Sequence, residues 1–102
     1  METKLTTRVF GTTVRVTLAP MGTGMKVTVS ECSKTRKPRT LFTAKGTAQD
    51  TLTGLKMVAG QVEEMTFALR EGPRTGIHAD LALAASALSA VRRTEARKVR
   101  KS

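Results

Sequence analysis

The residue types that carry acid–base, nucleophilic or metal chemistry are scarce in this chain. It has one histidine, His78, and one cysteine, Cys32. A catalytic nucleophile needs a base within hydrogen-bonding reach and a third group that orients the base, and no local pattern supplies such a set. One His and one Cys are also too few for a zinc site within a single chain. We therefore expect a protein that is not an enzyme and that holds no metal and no cofactor.

Basic residues are the chemically distinctive feature of the sequence. The 102 residues carry a formal net charge of +10. Residues 1–47 hold nine Lys/Arg against two acids, residues 48–91 three against five, and residues 92–102 six against one. Charge that is segregated in this way is typical of nucleic-acid-binding proteins, although a solvated basic tail would give part of the same pattern. We expect the partner to be a polyanion, either DNA or structured RNA.

The first basic cluster surrounds the segment 33–39, where Pro38 argues against a central strand and favours a loop. The strands predicted beside this loop carry further cations on their polar positions. A two-stranded ribbon fits the DNA major groove, and cations on a loop can bind phosphates. The predicted nucleic-acid contacts in this half of the chain are Arg15, Lys26, Lys34, Arg36, Lys37, Arg39 and Lys45.

The second basic cluster lies at the C-terminal end and extends a predicted helix. Cations near a helix C-terminus interact favourably with the helix dipole, which accounts for two or three of them rather than six. An arm that becomes ordered on a polyanion accounts for the rest. The predicted contacts here are Arg92, Arg93, Arg97, Lys98, Arg100 and Lys101.

Aromatic residues are few, since the chain has no Trp, no Tyr and three Phe. Proteins that bind single strands usually stack bases on such rings. We expect Phe10 and Phe67 to serve the hydrophobic core, and Phe42 alone would be a poor stacking platform even if it faced outward. Phosphate contacts with a duplex or structured RNA are therefore favoured over base stacking.

Strands are predicted from the alternation of apolar and polar residues in the first half of the chain. Residues 5–19 are predicted to form a strand, in which Phe10, Val14, Val16 and Leu18 share one parity, and residues 25–29 alternate in the same way. With the glycine-containing turn between them, these two runs predict a hairpin. The parity changes beside Gly11, where a β-bulge or a short turn would account for it. Residues 40–44 predict a third, shorter strand.

Two helices are predicted in the second half, at about 48–70 and about 78–91. Thr47, with Asp50 three residues later, resembles the start of a helix with a capping box. Gly54 and Gly60 each cost about 1 kcal/mol relative to alanine in a helix, and we interpret them as points of close packing on the sheet. The apolar positions recur at helical spacing: Leu52, Leu55, Val58, Val62, Met65 and Leu69 in the first helix, and Ile77, Leu81, Ala84, Leu88 and Val91 in the alanine-rich second.

These patterns predict an α+β fold, with a small antiparallel β-sheet (β-β-β) followed by two α-helices. Residues 1–91 would form the single domain, with strands within about 5–44, and residues 92–102 a basic helical extension or tail. An open three-stranded sheet has free edges and the core has few large side chains, so we expect a homodimer. The apolar stretch 81–91 is shorter than the ~20 residues of a membrane span, and no signal peptide is visible, which favours a cytoplasmic protein without membrane contact.

The predicted function is binding of DNA or structured RNA by a small, basic, non-enzymatic protein that contacts mainly phosphates and takes no small-molecule substrate. The alternative is a protein–protein adaptor or assembly protein. In that case the alanine-rich second helix would dock on a partner, because its small side chains allow another helix to approach closely.

Overall fold

The computed structural model describes the backbone of residues 2–68 and 76–101 and the side chains of residues 2–68 and 79–98. The predicted α+β class is confirmed, with strands first and two helices after them. The prediction of three strands is wrong, because the sheet has four. The elements are β1 (Thr3–Val9), β2 (Thr12–Met21), β3 (Gly24–Cys32), β4 (Arg39–Gly46), α1 (Thr51–Ala68) and α2 (Gly76–Lys101).

The additional strand arises from a tight turn at Phe10 and Gly11. Val9 pairs with Thr12, so only two residues connect β1 to β2. Phe10 and Gly11 both have positive φ angles, 53° and 75°, as a type I′ turn requires. Of the two explanations for the parity change in this region, the short turn is confirmed. Phenylalanine is an unusual first residue for a type I′ turn, so residue preferences do not predict a hairpin turn at this position.

The four strands form an antiparallel meander in the order β1-β2-β3-β4. Gly22 and Thr23 connect β2 to β3, and Gly22 has the positive φ, 62°, that a two-residue hairpin turn needs. The register between β3 and β4 shifts at one point: Val29 pairs with Phe42, but Ser30 pairs with Thr40. This β-bulge places Arg39 opposite Glu31, so both residues lie on the face of the sheet that carries the apolar side chains.

The hydrophobic core lies between that face and the two helices. Most of the apolar residues that were predicted to line one side of each helix do face the core. Met65 is an exception, since it is 45% exposed. The side chains of Leu69 and Ile77 lie outside the described residues. The core is built almost wholly from Val, Leu and Ala: Val14, Val16, Leu18, Val27, Val29, Leu41, Ala44, Leu55, Val58, Val62, Leu81, Ala84, Ala87, Leu88 and Val91.

The phenylalanines do not occupy the positions expected of them. Phe10 is 80% exposed and Phe67 is 71% exposed, so the prediction that these two serve the core is wrong. Phe42 faces the helices, where it pairs with Val29 and packs at the margin of the core. Because branched aliphatic side chains fill the space between sheet and helices, the core has no need for a large ring at its centre.

The first helix begins later than predicted, and its N-cap is Asp50 rather than Thr47. The backbone N–H of Thr53 donates a 2.8 Å hydrogen bond to one carboxylate oxygen of Asp50, and the Thr53 hydroxyl donates a 3.0 Å bond to the other. These bonds satisfy an otherwise free donor of the first helical turn. They also hold the pKa of Asp50 below its ordinary value.

The two glycines of α1 differ in their surroundings. A Cβ atom on Gly54 would lie 2.6 Å from Met25 Sδ and 3.0 Å from Leu18 Cδ2, whereas one on Gly60 would meet nothing within 4 Å. The close packing expected on the sheet is therefore confirmed at Gly54 and wrong at Gly60.

The second helix starts two residues earlier than predicted and continues without a break to Lys101. Of the two forms predicted for residues 92–102, a helical extension or a tail, the structure shows the extension over residues 92–101. This helix packs against β1, β2, β4 and α1, and the side chains of Ala84 and Ala87 are fully buried in that contact. Ala84 and Ala87 therefore serve packing within this chain, whereas Ala79 and Ala82 are exposed.

Candidate nucleic-acid interface

The face of the sheet opposite the helices is polar, basic and uncovered by the described chain. Inward and outward side chains alternate along each strand, so the buried valines fix which residues point outward. No Asp or Glu occupies an outward strand position, since Glu31, the one acid within the four strands, points toward the helices. We call this surface the outer face; it comprises Lys4, Thr6, Arg8, Thr13, Arg15, Thr17, Ala19, Lys26, Thr28, Ser30, Cys32, Thr40, Thr43 and Lys45, and none of these residues is buried.

The strand register defines how the cations of the outer face are arranged. Lys26 lies directly opposite Lys45 on the neighbouring strand. Arg15 is the diagonal neighbour of both Lys4 and Arg8, because those residues pair with Thr17 and Thr13 on either side of it. Diagonal neighbours in an antiparallel pair are about 7–8 Å apart. The outer face therefore carries a field of positive charge made of two groups of neighbouring cations, one of Lys4, Arg8 and Arg15 and the other of Lys26 and Lys45.

Two properties of this field favour an anionic ligand. Like charges directly opposite each other on neighbouring strands are destabilising, and no carboxylate on the outer face offsets the contact between Lys26 and Lys45. The residues between the cations are mostly hydroxyl-bearing Thr and Ser, which can donate hydrogen bonds to phosphate oxygens. A polyanion would relieve the repulsion and use those donors.

The 33–38 loop adds three exposed cations at one end of the sheet. Lys34, Arg36 and Lys37 follow the end of β3, and within the described residues none of them forms an ion pair or hydrogen bond. The hydrogen bonds recorded in the loop join Ser33 to Thr35. These three lysine and arginine side chains are thus available to a ligand.

Arg39 differs from the other cations that were grouped with the loop. Its guanidinium donates two hydrogen bonds, of 2.9 and 3.0 Å, to the carboxylate of Asp80 on α2 and a longer one, 3.4 Å, to Glu31. The bond to Asp80 is the main reason that the pKa of Arg39 is raised above its ordinary value. Arg39 therefore joins β4 to α2, and two carboxylates of its own chain already balance its charge.

The C-terminal cations lie on the helical layer. Lys98 pairs with Glu95 at 3.2 Å, and it shares with Lys4 the lining of a groove between α2 and the edge of β1. Asp80 binds Arg39 near the 33–38 loop, and Lys98 lies 18 residues further along α2, which is about 27 Å at the helical rise of 1.5 Å per residue. Lys98 is therefore far from the cations of the loop. Arg92, Arg93 and Arg97 lie on the same stretch of α2, and the side chains of Arg100 and Lys101 are outside the described residues.

The structure thus unites Arg15, Lys26 and Lys45 on one face with the loop at its end, and it places the α2 cations elsewhere. It adds two outer-face cations that the sequence reasoning missed, Lys4 and Arg8. The signal for them was present in residues 3–9, where the apolar residues have odd numbers and the cations even ones. This alternation assigns Lys4 and Arg8 to the outer face only if residues 3–9 form a separate strand that ends at the turn of Phe10 and Gly11.

The remaining chemistry of the described residues is sparse. Cys32 is partly exposed on the outer face, the side chain of His78 is outside the described residues, and no three His, Cys, Asp or Glu side chains among those described could share a metal ion. Neither helix, over its described residues, offers an apolar stretch of the length that a membrane crossing requires. The chain matches no protein-family model, no curated protein and no solved structure at a significant level.

Proposed function

We propose that this chain binds nucleic acid through the outer face and the 33–38 loop, mainly by contacts to phosphate. The observation that carries the proposal is the composition of the outer face: five cations, interleaved hydroxyls and no carboxylate, on a side of the sheet that its own helices leave uncovered. Such a surface binds a polyanion by neutralising phosphates and releasing their counterions.

The dimensions of the outer face favour duplex DNA or structured RNA. Four strands spaced about 4.8 Å apart span about 14 Å between the first and last axes, which is wider than the ~12 Å major groove of DNA. The face as a whole therefore suits phosphates on the two sides of a groove, and only its hairpin ends fit inside one. None of the outer-face side chains is aromatic, so this surface lacks the rings on which single-stranded bases stack.

The α2 cations do not belong to this proposed surface. Arg92, Arg93 and Arg97 lie on α2, in the helical layer behind the sheet. Lys98 also lies on α2 and is paired with Glu95, but it lines the groove at the edge of β1 together with Lys4 and so borders the outer face. A contribution of the C-terminal cluster to binding therefore stays a sequence prediction, on which the proposed surface does not depend.

A salt titration of the affinity for duplex DNA, single-stranded DNA and RNA tests the proposed function. Each phosphate that a cation neutralises contributes about −0.9 to the slope of log K against log[salt] on duplex DNA. Replacing Lys26 with glutamine should reduce the magnitude of the slope by about 0.9 and weaken binding. The matched control is Lys56→Gln, which removes the same charge from an exposed position on α1 and should leave the slope unchanged.

The combined variant Arg15→Gln, Lys26→Gln and Lys45→Gln should lower the magnitude of the slope by about 2.7, if each cation neutralises one phosphate. Equal effects of Lys26→Gln and Lys56→Gln would show that net charge, and not the outer face, determines binding. A wild-type affinity without salt dependence would refute the proposed function.

The adaptor alternative has less support, because the apolar side of α2 that motivated it is covered within the chain, although Ala79 and Ala82 are exposed. Ala84 and Ala87 are fully buried against the sheet and α1, so a partner helix could not reach them while the domain is folded. The homodimer stays a proposal. Its natural contacts would be the two edge strands, β1 and β4, since within the described chain each has a paired neighbour on one side only. Light scattering during size-exclusion chromatography would measure the oligomeric state.

A further inference from the structure

The tip of the β1–β2 hairpin presents an aromatic ring to solvent. Phe10 is 80% exposed, the highest value among the large hydrophobic side chains that the structure describes as exposed. Its φ angle is 53°, in the left-handed region that bulky residues rarely adopt. The ring therefore gains nothing from burial in the domain, and its backbone is held in an unfavourable conformation.

This position in a hairpin normally carries a different residue. A type I′ turn strongly favours Asn-Gly or Asp-Gly, because asparagine, aspartate and glycine tolerate positive φ. Here Gly11 satisfies the preference at the second position and Phe10 violates it at the first. Other contacts support the turn: the Arg8 guanidinium donates a 3.2 Å hydrogen bond to the carbonyl oxygen of Gly11. Conformational strain of this kind, held in place by its surroundings, is concentrated at functional sites.

The location of Phe10 relates it to the proposed interface. Strands β1 and β3 run in the same direction in the meander, so the turn after β1 and the 33–38 loop after β3 lie at the same end of the sheet. Arg8 lies two residues before the ring on the outer face, and Lys34, Arg36 and Lys37 extend from the neighbouring loop. The exposed ring thus lies at the same end of the sheet as these four cations, which could hold phosphates next to it.

We propose that Phe10 is an apolar wedge that inserts between stacked bases of the bound duplex, at the end of the site formed by the outer face and the loop. This inference rests on the proposed function and deepens it. Proteins that bind the minor groove and bend DNA frequently insert an apolar side chain such as Phe or Leu between base steps, which partly unstacks the bases and kinks the duplex. One ring is enough for that role, whereas a stacking platform for single strands needs several.

A membrane surface is the other partner that an exposed ring near cations would suit. The residues at the tip of the β1–β2 hairpin favour a membrane less than a nucleic-acid duplex. Surfaces that insert into a bilayer bring together several large apolar groups. The residues that follow Phe10 are Gly11, Thr12 and Thr13, so the tip offers one ring without apolar neighbours on that side. Insertion between bases needs no more than that.

The decisive variant is Phe10→Asn, because it should improve the fold while it removes the wedge. Asparagine suits the first position of a type I′ turn, so the thermal midpoint should rise by about 2–8 °C. Affinity for duplex DNA should fall by about 5- to 100-fold, the range that the loss of one aromatic–base stack gives. The salt slope should be unchanged, because no phosphate contact is lost. Phe10→Leu is the second variant and should retain most of the affinity, since leucine also serves as a wedge.

A duplex that carries 2-aminopurine provides a direct readout of unstacking. The chain has no Trp and no Tyr, so its own fluorescence does not interfere. Wild-type protein and Phe10→Leu should increase the 2-aminopurine emission on binding, and Phe10→Asn should not. Vesicles of phosphatidylcholine and phosphatidylserine form the parallel arm of the experiment.

The outcomes separate the wedge from the proposed function. If wild-type protein binds the duplex and Phe10→Asn binds equally well with the same emission change, the wedge is refuted and the proposed function stands. If Phe10→Asn loses vesicle binding but keeps duplex binding, the ring is a membrane contact and the wedge is refuted. If wild-type protein shows no salt-dependent affinity for any nucleic acid, the proposed function fails and the wedge fails with it.

Discussion

The two glycines of α1 allow the packing of this helix on the sheet to be tested with chemically identical changes. Replacing glycine with alanine in a helix interior stabilises the helix by about 0.8–1 kcal/mol. At Gly60 the new methyl group would meet nothing within 4 Å, so the full gain should appear. For a domain of this size, Gly60→Ala should raise the thermal midpoint by about 3–8 °C.

At Gly54 the same gain is opposed by a steric clash. The new Cβ would lie 2.6 Å from Met25 Sδ and 3.0 Å from Leu18 Cδ2. The Met25 side chain can change rotamer, but Leu18 is 1% exposed and fixed in the core. Adding a methyl group to a well-packed core typically costs about 1–3 kcal/mol. Gly54→Ala should therefore be neutral or destabilising by up to about 2 kcal/mol, and the two variants should differ by about 1–3 kcal/mol.

Urea unfolding followed by far-UV circular dichroism measures both free energies on the same scale. Equal m-values would show that the variants unfold from the same compact state, so that a difference in midpoint reports a difference in stability. If Gly54→Ala stabilised the protein as much as Gly60→Ala, α1 would not be seated against Leu18 and Met25. Close packing of Gly54 on the sheet would then be refuted.

Two further predictions concern the ends and the core of the helical layer. The carboxylate of Asp50 caps α1 with a lowered pKa, so its contribution is present above its ordinary pKa and is lost as the pH falls through the lowered value. Asp50→Asn, which caps without titrating, should retain the midpoint at neutral pH and lose less of it in acid; parallel losses in thermal scans across pH would contradict the charged cap. Leu88 of α2 is 1% exposed and belongs to the core. Leu88→Ala should lower the free energy of unfolding, measured by denaturant titration, by about 2–5 kcal/mol. The exposed neighbour provides the control, because Ser89→Ala should stay within about 0.5 kcal/mol of wild type; a similar value for Leu88→Ala would mean that α2 is not docked as described.

Local patterns in the sequence determined most of the fold. Alternation placed the valines of β2 and β3 on one face, and helical spacing identified Leu55, Val58 and Val62 as buried. The errors came from features that local patterns do not encode. The strand count depended on a turn whose first residue, Phe10, is not a turn former. The start of α1 was misplaced because Asp50, predicted as the acid that follows a Thr47 cap, is itself the cap.

The candidate interface was also predictable in part from the alternation of polar and apolar residues along the strands. Arg15, Lys26 and Lys45 were identified because they occupy the polar positions of alternating strands. Arg39 was misleading because its ion pair with Asp80 spans 41 residues of sequence and depends on the β-bulge that turns it toward the helices. For the C-terminal cations, charge alone does not show which layer of the fold they occupy, since that depends on how α2 packs.

The order of the elements has a consequence for how the chain folds as it is synthesised. Every strand of the meander pairs with the next one in sequence, so the sheet can form from contacts between near neighbours along the chain. Its apolar face, by contrast, is covered last, by residues up to Val91 of α2. Until that helix has left the ribosome, the parts of β1, β2 and β4 that it covers face water or a chaperone, and a chain truncated before α2 would expose the same apolar strip to aggregation.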